Sequence, residues 1–137
     1  EEISNKKFII NRDQNSNPIT ITKSIEIVYG LRNFIGNANK FSNAKIFITV
    51  KSDSNFTKVI IEDDGKGFPK DVLKIIGEPY IKSIEPSEKS KSGLGLGIFI
   101  GKTLLEKNYA NILCRNSKTR SGAEVSIEWE NKNLVKL

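Results

Sequence analysis

The sequence contains no histidine and no methionine, and one cysteine among its 137 residues. Without histidine, the chain itself cannot form a Ser-His-Asp triad, a histidine metal site or a phosphohistidine. The single cysteine excludes an internal disulfide. Cys114 lies in an apolar run, where a buried structural thiol is expected, although a redox role stays open. No apolar stretch approaches the roughly 20 residues that span a bilayer.

Other missing features bear on where the domain comes from and on what it binds. The length predicts a single domain, residues 1–137. The N-terminus does not read as a signal peptide, and the missing initiator methionine suggests a fragment cut from a longer chain. The net charge is +6, but aromatic residues are not interleaved with the basic ones, so we expect no nucleic-acid binding. A phosphate-bearing small ligand or an acidic protein partner accounts equally well for the positive charge.

Apolar periodicity predicts an α+β fold. The predicted strands are 8–11, 19–22, 44–51, 58–63, 110–115 and 123–129, and the predicted helices are 25–42, 70–76 and 98–107. The two strands on either side of the polar turn at 52–56 are expected to form a hairpin. Together these elements predict a two-layer sandwich, with a mixed, mostly antiparallel sheet and three or so helices on one face.

The segments between these elements carry two more signals. Residues 77–92 are polar and irregular, and a loop of this length is usually a lid or a binding segment. Ser24 is expected to cap the first helix, and Asn108 is expected to end the third in a left-handed conformation.

Three polar residues share one face of the first predicted helix. Asn33 and Asn37 are four residues apart, and Lys40 follows on the same side. Asparagine is a poor helix former, because its amide competes with the backbone. An amide oxygen can ligate a hard cation and a lysine can meet phosphate charge, so a magnesium-bound polyphosphate is one explanation. A solvated face is the alternative.

A second motif, Asp63-x-Gly65-x-Gly67, follows a predicted strand. A carboxylate held there can accept a hydrogen bond from an exocyclic amine such as that of adenine. The two glycines let the backbone turn tightly and approach a flat ring. An ordinary Asp-Gly turn is the alternative explanation.

A third motif, Gly93-x-Gly95-x-Gly97, precedes a predicted helix but follows a loop. That context argues against a Rossmann unit, and the motif lacks the Gly-Lys-Ser/Thr ending of a Walker loop. It places free N–H groups at a helix N-terminus, which suits phosphate oxygens. A flexible glycine hinge is the alternative.

Taken in order, the three motifs resemble those of the catalytic and ATP-binding domain of sensor histidine kinases. This domain has the Bergerat fold of the superfamily shared with gyrase B, HSP90 and MutL. The resemblance covers about residues 8–129 and includes an N box at 33–42, two glycine boxes and a terminal glycine motif at 122–125. Two further runs, 29–34 and 77–80, are similar to the RegB/PrrB redox-sensor branch.

The resemblance implies an ATP site with Mg²⁺. Asn37 would ligate the Mg²⁺ that bridges the phosphates, Asn33 would support it through the metal's waters, and Lys40 would contact phosphate. Asp63 would hold the adenine amino group. The other implied cofactor contacts are Gly65 and Gly67 in the pocket wall, Tyr80 in the lid, and the run Gly93-Leu94-Gly95-Leu96-Gly97, which would let the lid close and offer N–H groups to phosphate.

One residue bears on the reaction type. In the ATP-hydrolysing relatives, a glutamate that activates water stands where this chain has Asn33, and an amide cannot act as a base. The resemblance therefore implies a protein histidine kinase that hydrolyses ATP slowly. The alternatives are an anti-sigma-factor-type serine kinase or degenerate binding module, and an ATP-hydrolysing member of the gyrase or MutL type. The common threonine after the terminal glycine is missing here.

The resemblance also implies partners that this chain does not contain. The acceptor histidine would lie on the protein's own dimerisation domain, and the phosphate would pass to a cognate response regulator. The full protein would be a homodimer, with this part forming a cytoplasmic domain of a membrane-anchored bacterial sensor.

Overall fold

Five strands and four helices make up the part of the chain described by the structure, a computed structural model covering residues 6–12, 24–76 and 94–134. In chain order they are β1 (Lys7–Arg12), α1 (Ile25–Phe41), β2 (Lys45–Ser52), β3 (Phe56–Asp63), α2 (Lys70–Ile76), α3 (Leu94–Lys107), β4 (Asn111–Asn116), β5 (Ala123–Glu130) and α4 (Asn131–Leu134).

The strands form one mixed sheet in the order β1-β2-β3-β5-β4. β1 pairs with β2 in parallel, and the other three pairings are antiparallel. The predicted hairpin is β2–β3, with Ile48 opposite Ile61. The prediction of a mixed, mostly antiparallel sheet is therefore confirmed. The predicted strand at 19–22 lies outside the described residues.

Helices cover one face of the sheet, and no helix in the described part of the chain covers the other, which we call the open face. Because side chains alternate along a strand, Ile46, Ile61 and Ile127 all point to the covered face, where each is at most 2% exposed. They pack in one core with Phe34 of α1 and other helix residues. On the open face Leu113 is 55% exposed. The structure is thus the predicted two-layer α+β sandwich.

Cys114 lies on β4 and packs against the edge of the core. Burial raises the pKa of its thiol to about 12, with a smaller opposing effect from Lys102. The thiol therefore stays protonated at neutral pH, so little of the reactive thiolate forms.

Both ends of α1 are capped. The Ser24 hydroxyl accepts a hydrogen bond from the Ile27 N–H at 3.3 Å, as the sequence predicted. At the other end the Lys6 ammonium donates to the backbone oxygens of Asn39 and Ser42, the latter at 2.8 Å. A cation is favourable there, because carbonyl groups point outward at a helix C-terminus. These contacts fix where the asparagine-bearing helix ends.

Glycines bring α1 and α3 into close contact. A Cβ on Gly30 would lie 2.5 Å from Leu105 Cγ, and one on Gly101 would lie 2.9 Å from the Phe34 ring. Gly97 also faces α1, where its Cβ would lie 3.3 Å from the amide atoms of Asn37. Larger residues at the first two positions would push the helices apart.

Two details of α3 differ from the sequence prediction. The helix begins at Leu94 rather than at 98, so most of the glycine motif forms its first turn instead of a preceding loop. At its other end Tyr109, not Asn108, adopts the left-handed conformation, with φ of 72°. Asn108 is buried instead, and its amide donates to the Glu26 carboxylate at 2.9 Å and to the Leu104 carbonyl at 3.1 Å.

The close packing of α1 and α3 predicts opposite effects for two alanine substitutions. Gly30→Ala should lower the free energy of unfolding by about 1–2 kcal/mol, because the buried Leu105 side chain has no room to move. Gly36→Ala should raise it by up to about 1 kcal/mol, since nothing lies within 4 Å of that position and alanine favours the helix. Urea unfolding measures both, and equal stabilities would contradict the packing account.

Candidate functional site

A cleft opens where α1 and α3 meet the end of β3. Its lining includes polar residues from the first two predicted motifs among largely apolar neighbours: Phe34, Asn37, Asp63, Phe68, Ile98 and Ala123. The structure therefore brings Asn37 and Asp63, which are far apart in sequence, to one concave surface.

Asp63 presents a buried carboxylate to this cleft. Its Oδ1 accepts hydrogen bonds from the N–H of Gly65 at 2.8 Å and of Ala123 at 3.2 Å. Burial raises the pKa of Asp63, and the two hydrogen bonds partly oppose that shift. Its Oδ2 has no hydrogen-bond partner among the residues that the structure describes. An oxygen in this position can accept a hydrogen bond from a ligand amine.

Close backbone contacts around Asp63 require glycines. A Cβ on Gly65 would lie 2.2 Å from the Phe41 carbonyl oxygen, and a Cβ on Gly122 would lie 2.1 Å from the Asp63 carbonyl oxygen. Gly67 has φ of 83°, which other residues rarely adopt. The Asp-x-Gly-x-Gly stretch is therefore more than an exposed turn, since it joins the end of α1 and the start of β5 around one carboxylate.

Asp64 holds this loop to the end of α1, a contact that the sequence analysis did not predict. Its carboxylate accepts hydrogen bonds from the backbone N–H groups of Asn43 at 2.9 Å, Ala44 at 3.0 Å and Lys45 at 3.1 Å. Burial would raise the pKa of Asp64, but these hydrogen bonds outweigh it and lower the pKa. The only feature of the sequence that could indicate this anchoring role is the presence of an acidic residue next to Asp63.

The two asparagines lie on the same side of α1, as the helical spacing predicted, and that side faces α3. The Asn37 Nδ2 is buried and has no hydrogen-bond partner among the described residues. Asn33 is half-buried, and its Nδ2 donates to the Tyr29 carbonyl at 2.8 Å. An unpaired buried amide is unfavourable, so Asn37 is the more strongly suited of the two to meet a ligand.

The remaining predicted residues are placed less fully. Lys40 is exposed, with its Nζ 5.3 Å from the centre of the Phe41 ring, and it is not among the residues that line the cleft. Leu94, Gly95, Leu96 and Gly97 form the first turn of α3, and Gly97 lies against Asn37. Tyr80 and Gly93 lie outside the described residues.

Comparison with known proteins identifies the family. The model of the family described as histidine kinase-, DNA gyrase B- and HSP90-like ATPases matches residues 22–133. The chain belongs to this family. This membership makes the domain an ATP-binding one, as the sequence predicted.

Sensor histidine kinases are prominent among its relatives. The sensor histidine kinase RegB of Cereibacter sphaeroides is 33% identical over an alignment that covers 84% of this chain and 28% of RegB. The sensor protein RstB of Escherichia coli is 26% identical over 72% of this chain and 23% of its own length. The chain thus spans less than a third of these relatives. The predicted resemblance to histidine kinases and to RegB is confirmed.

Solved structures share the fold. The mycobacterial sensor histidine kinase MprB superposes with a TM-score of 0.67 at 19% identity, over 92% of this chain and 82% of MprB. The catalytic domain of histidine kinase ThkA gives 0.68 at 20% identity, over 94% and 82%. Full-length ShkA in complex with AMPPNP gives 0.62 at 24% identity, over 89% and 25%. The predicted fold is confirmed by these similarities.

The contacts of Asp64 predict a specific dependence on pH. Asp64→Asn should lower the free energy of unfolding at pH 7 by about 1 kcal/mol, because its NH₂ group would face backbone donors. A carboxylate whose pKa is lowered by folding stabilises fully above its ordinary value of 3.8, and that stability is lost as the pH falls through the lowered value. The difference from the wild type should therefore shrink in acid.

Denaturant unfolding at neutral pH and below pH 3.8 measures this difference. Asp71→Asn is the matched control, since Asp71 is exposed in the first turn of α2. A difference for Asp64→Asn that is independent of pH would show that its charge is not responsible.

Proposed function

We propose that this domain binds Mg-ATP in the cleft between α1, α3 and the end of β3, and donates the γ-phosphate to a histidine outside this chain. The main support for this proposal is a pair of polar groups in the cleft. Among the described residues, the buried Nδ2 of Asn37 and one carboxylate oxygen of the buried Asp63 have no hydrogen-bond partner, and both residues line the same cleft. Two such groups at one apolar surface fit a ligand with an amine at one end and an anion at the other.

Asp63 would recognise the adenine end of the nucleotide. Its Oδ1 is already engaged by Gly65 and Ala123, which holds the carboxylate in one orientation. The Oδ2 would accept a hydrogen bond from the exocyclic amino group, and burial strengthens that bond by excluding water. Gly65 and Gly67 would shape the adjoining pocket wall, where Phe68 supplies apolar surface.

Asn37 would hold Mg²⁺ at the phosphate end. Among the described residues no group of three or more acidic, histidine or cysteine side chains could form a metal cage. An amide oxygen together with phosphates and water suits Mg²⁺, which seldom needs an all-protein cage. When bound, Mg²⁺ would neutralise phosphate charge. Asn33 would support it through water, and Lys40 would contact phosphate.

The first turn of α3 would meet the phosphates from the other side. Gly97 lies against Asn37, so the N–H groups at 94–97 begin next to the proposed metal ligand. Unpaired N–H groups at a helix N-terminus favour anions. Gly93 and Tyr80 remain predictions from the sequence, as parts of the lid.

Transfer to a protein, rather than to water, follows from the character of Asn33. Its amide donates a hydrogen bond to the Tyr29 carbonyl and has no basic atom that could deprotonate water. We infer that the residues of this domain act by positioning ATP and neutralising its charge, as is common in phosphoryl transfer.

The partners are proposed from the sensor kinases that this chain resembles. The acceptor histidine would lie on the protein's own dimerisation domain, the phosphate would pass to a response regulator, and no nucleic acid would be bound. We also propose a homodimer in which this part is the cytoplasmic domain of a membrane-anchored bacterial sensor. Within the described ranges, no helix is long and apolar enough to cross a membrane.

Replacing Asn37 tests the phosphate end of the site. Asn37→Ala should abolish the Mg²⁺-dependent part of ATP affinity, because the proposed metal ligand is removed. Isothermal titration calorimetry with Mg²⁺ or with EDTA measures this, and Gly36→Ala, an exposed neighbour, should bind as the wild type does. ATP affinity that is unchanged in Asn37→Ala would contradict the metal role.

The rate of ATP hydrolysis by the wild-type domain is a separate test. Rapid ATP hydrolysis would contradict transfer to a protein.

A further inference from the structure

Asn116, the last residue of β4, contacts the loop after β3 through both atoms of its amide. Its Oδ1 accepts a hydrogen bond from the Phe68 N–H at 2.6 Å, and its Nδ2 donates to the Phe68 carbonyl at 3.2 Å. The side chain thus pairs with Phe68 as a neighbouring strand would. We call this pair of hydrogen bonds the Asn116 bridge.

The Asn116 bridge lies at the point where the loop changes direction. Gly67 has φ of 83°, and a Cβ there would lie 2.6 Å from Asn116 Oδ1. The next residue, Phe68, is 6% exposed and lines the cleft together with Asp63. The bridge therefore fixes the backbone of the residue whose side chain forms part of the cleft.

The residue that follows Asn116 holds the other side of the same strand end. The Ser117 hydroxyl donates to a Glu62 carboxylate oxygen at 3.0 Å, and the Ser117 N–H donates to the Gly122 carbonyl at 2.7 Å. This turn brings in the Ala123 N–H that binds Asp63. Two consecutive residues at the end of β4 therefore support different parts of the cleft. Asn116 holds the backbone of Phe68, and Ser117 holds the turn whose Ala123 N–H binds Asp63.

We propose that Asn116 is a positioning residue for the base-binding half of the nucleotide cleft. It acts through Phe68 and Gly67 without touching the ligand, and the inference rests on the proposed function. The role needs a hydrogen-bond donor and an acceptor on one short side chain. Asparagine supplies both, whereas an ionised aspartate supplies only acceptors. Because Asn116 is exposed, replacing it leaves no cavity in the core.

The Asn116 bridge lies at the base end of the cleft and does not contact Asn37. Its loss should therefore weaken the binding of metal-free ADP and the binding of Mg-ATP by the same factor. We expect Asn116→Ala to weaken both by about tenfold, in line with two lost hydrogen bonds. Asn116→Asp, which keeps only the acceptor, should also bind more weakly than the wild type. Asn111→Ala, an exposed asparagine at the other end of β4, should bind normally.

Calorimetry measures the affinities for ADP in EDTA and for Mg-ATP, and circular dichroism establishes that each variant is folded at the assay temperature. If Asn116→Ala does not fold, Asn116→Asp decides. Unchanged affinity for both ligands, or a loss confined to Mg-ATP, would overturn the inference. So would weakened binding that is fully explained by an unfolded fraction. Wild-type protein that binds neither ligand would defeat the proposed function as well, whereas normal wild-type binding with a normal Asn116 variant would overturn this inference alone.

Discussion

The close packing of α1 against α3 is the contact on which the rest of the cleft depends. Gly30 and Gly101 remove the side chains that would separate the two helices, and Leu105 and Phe34 fill the space between them. That approach places Asn37 beside the first turn of α3. If the helices were farther apart, water would reach the Asn37 amide and form hydrogen bonds with it.

Hydrogen bonds then join chain segments that are distant in sequence around two adjacent carboxylates. Asp63 is held by the start of β5 and by its own loop, and Asp64 is held by the link between α1 and β2. The two adjacent carboxylates have opposite pKa shifts. Burial raises the pKa of Asp63, whereas hydrogen bonds lower that of Asp64. Asp63 thus faces the cleft, whereas Asp64 anchors the loop to the end of α1.

Local patterns predicted most of the fold, because alternation and helical spacing report which face of each element is buried. They placed β2, β3 and α1 within a few residues and set Asn33 and Asn37 on one face. They missed Asp64 and Asn116, whose partners depend on tertiary contacts; Asn116 is 48 residues from Phe68. They also assigned the left-handed position to Asn108, because the sequence does not show that Glu26 lies within reach of its amide.

We propose that Asp63 and Asn37 face the two ends of one bound nucleotide. Titrating Mg-ATP into the isotope-labelled domain and following the amide resonances by NMR tests it most directly. If the nucleotide binds in this cleft, the backbone amides of Gly65, Gly67 and Ala123 and the side-chain amide of Asn37 should show large shifts. Shifts confined to the open face of the sheet, or no shifts at saturating Mg-ATP, would contradict it.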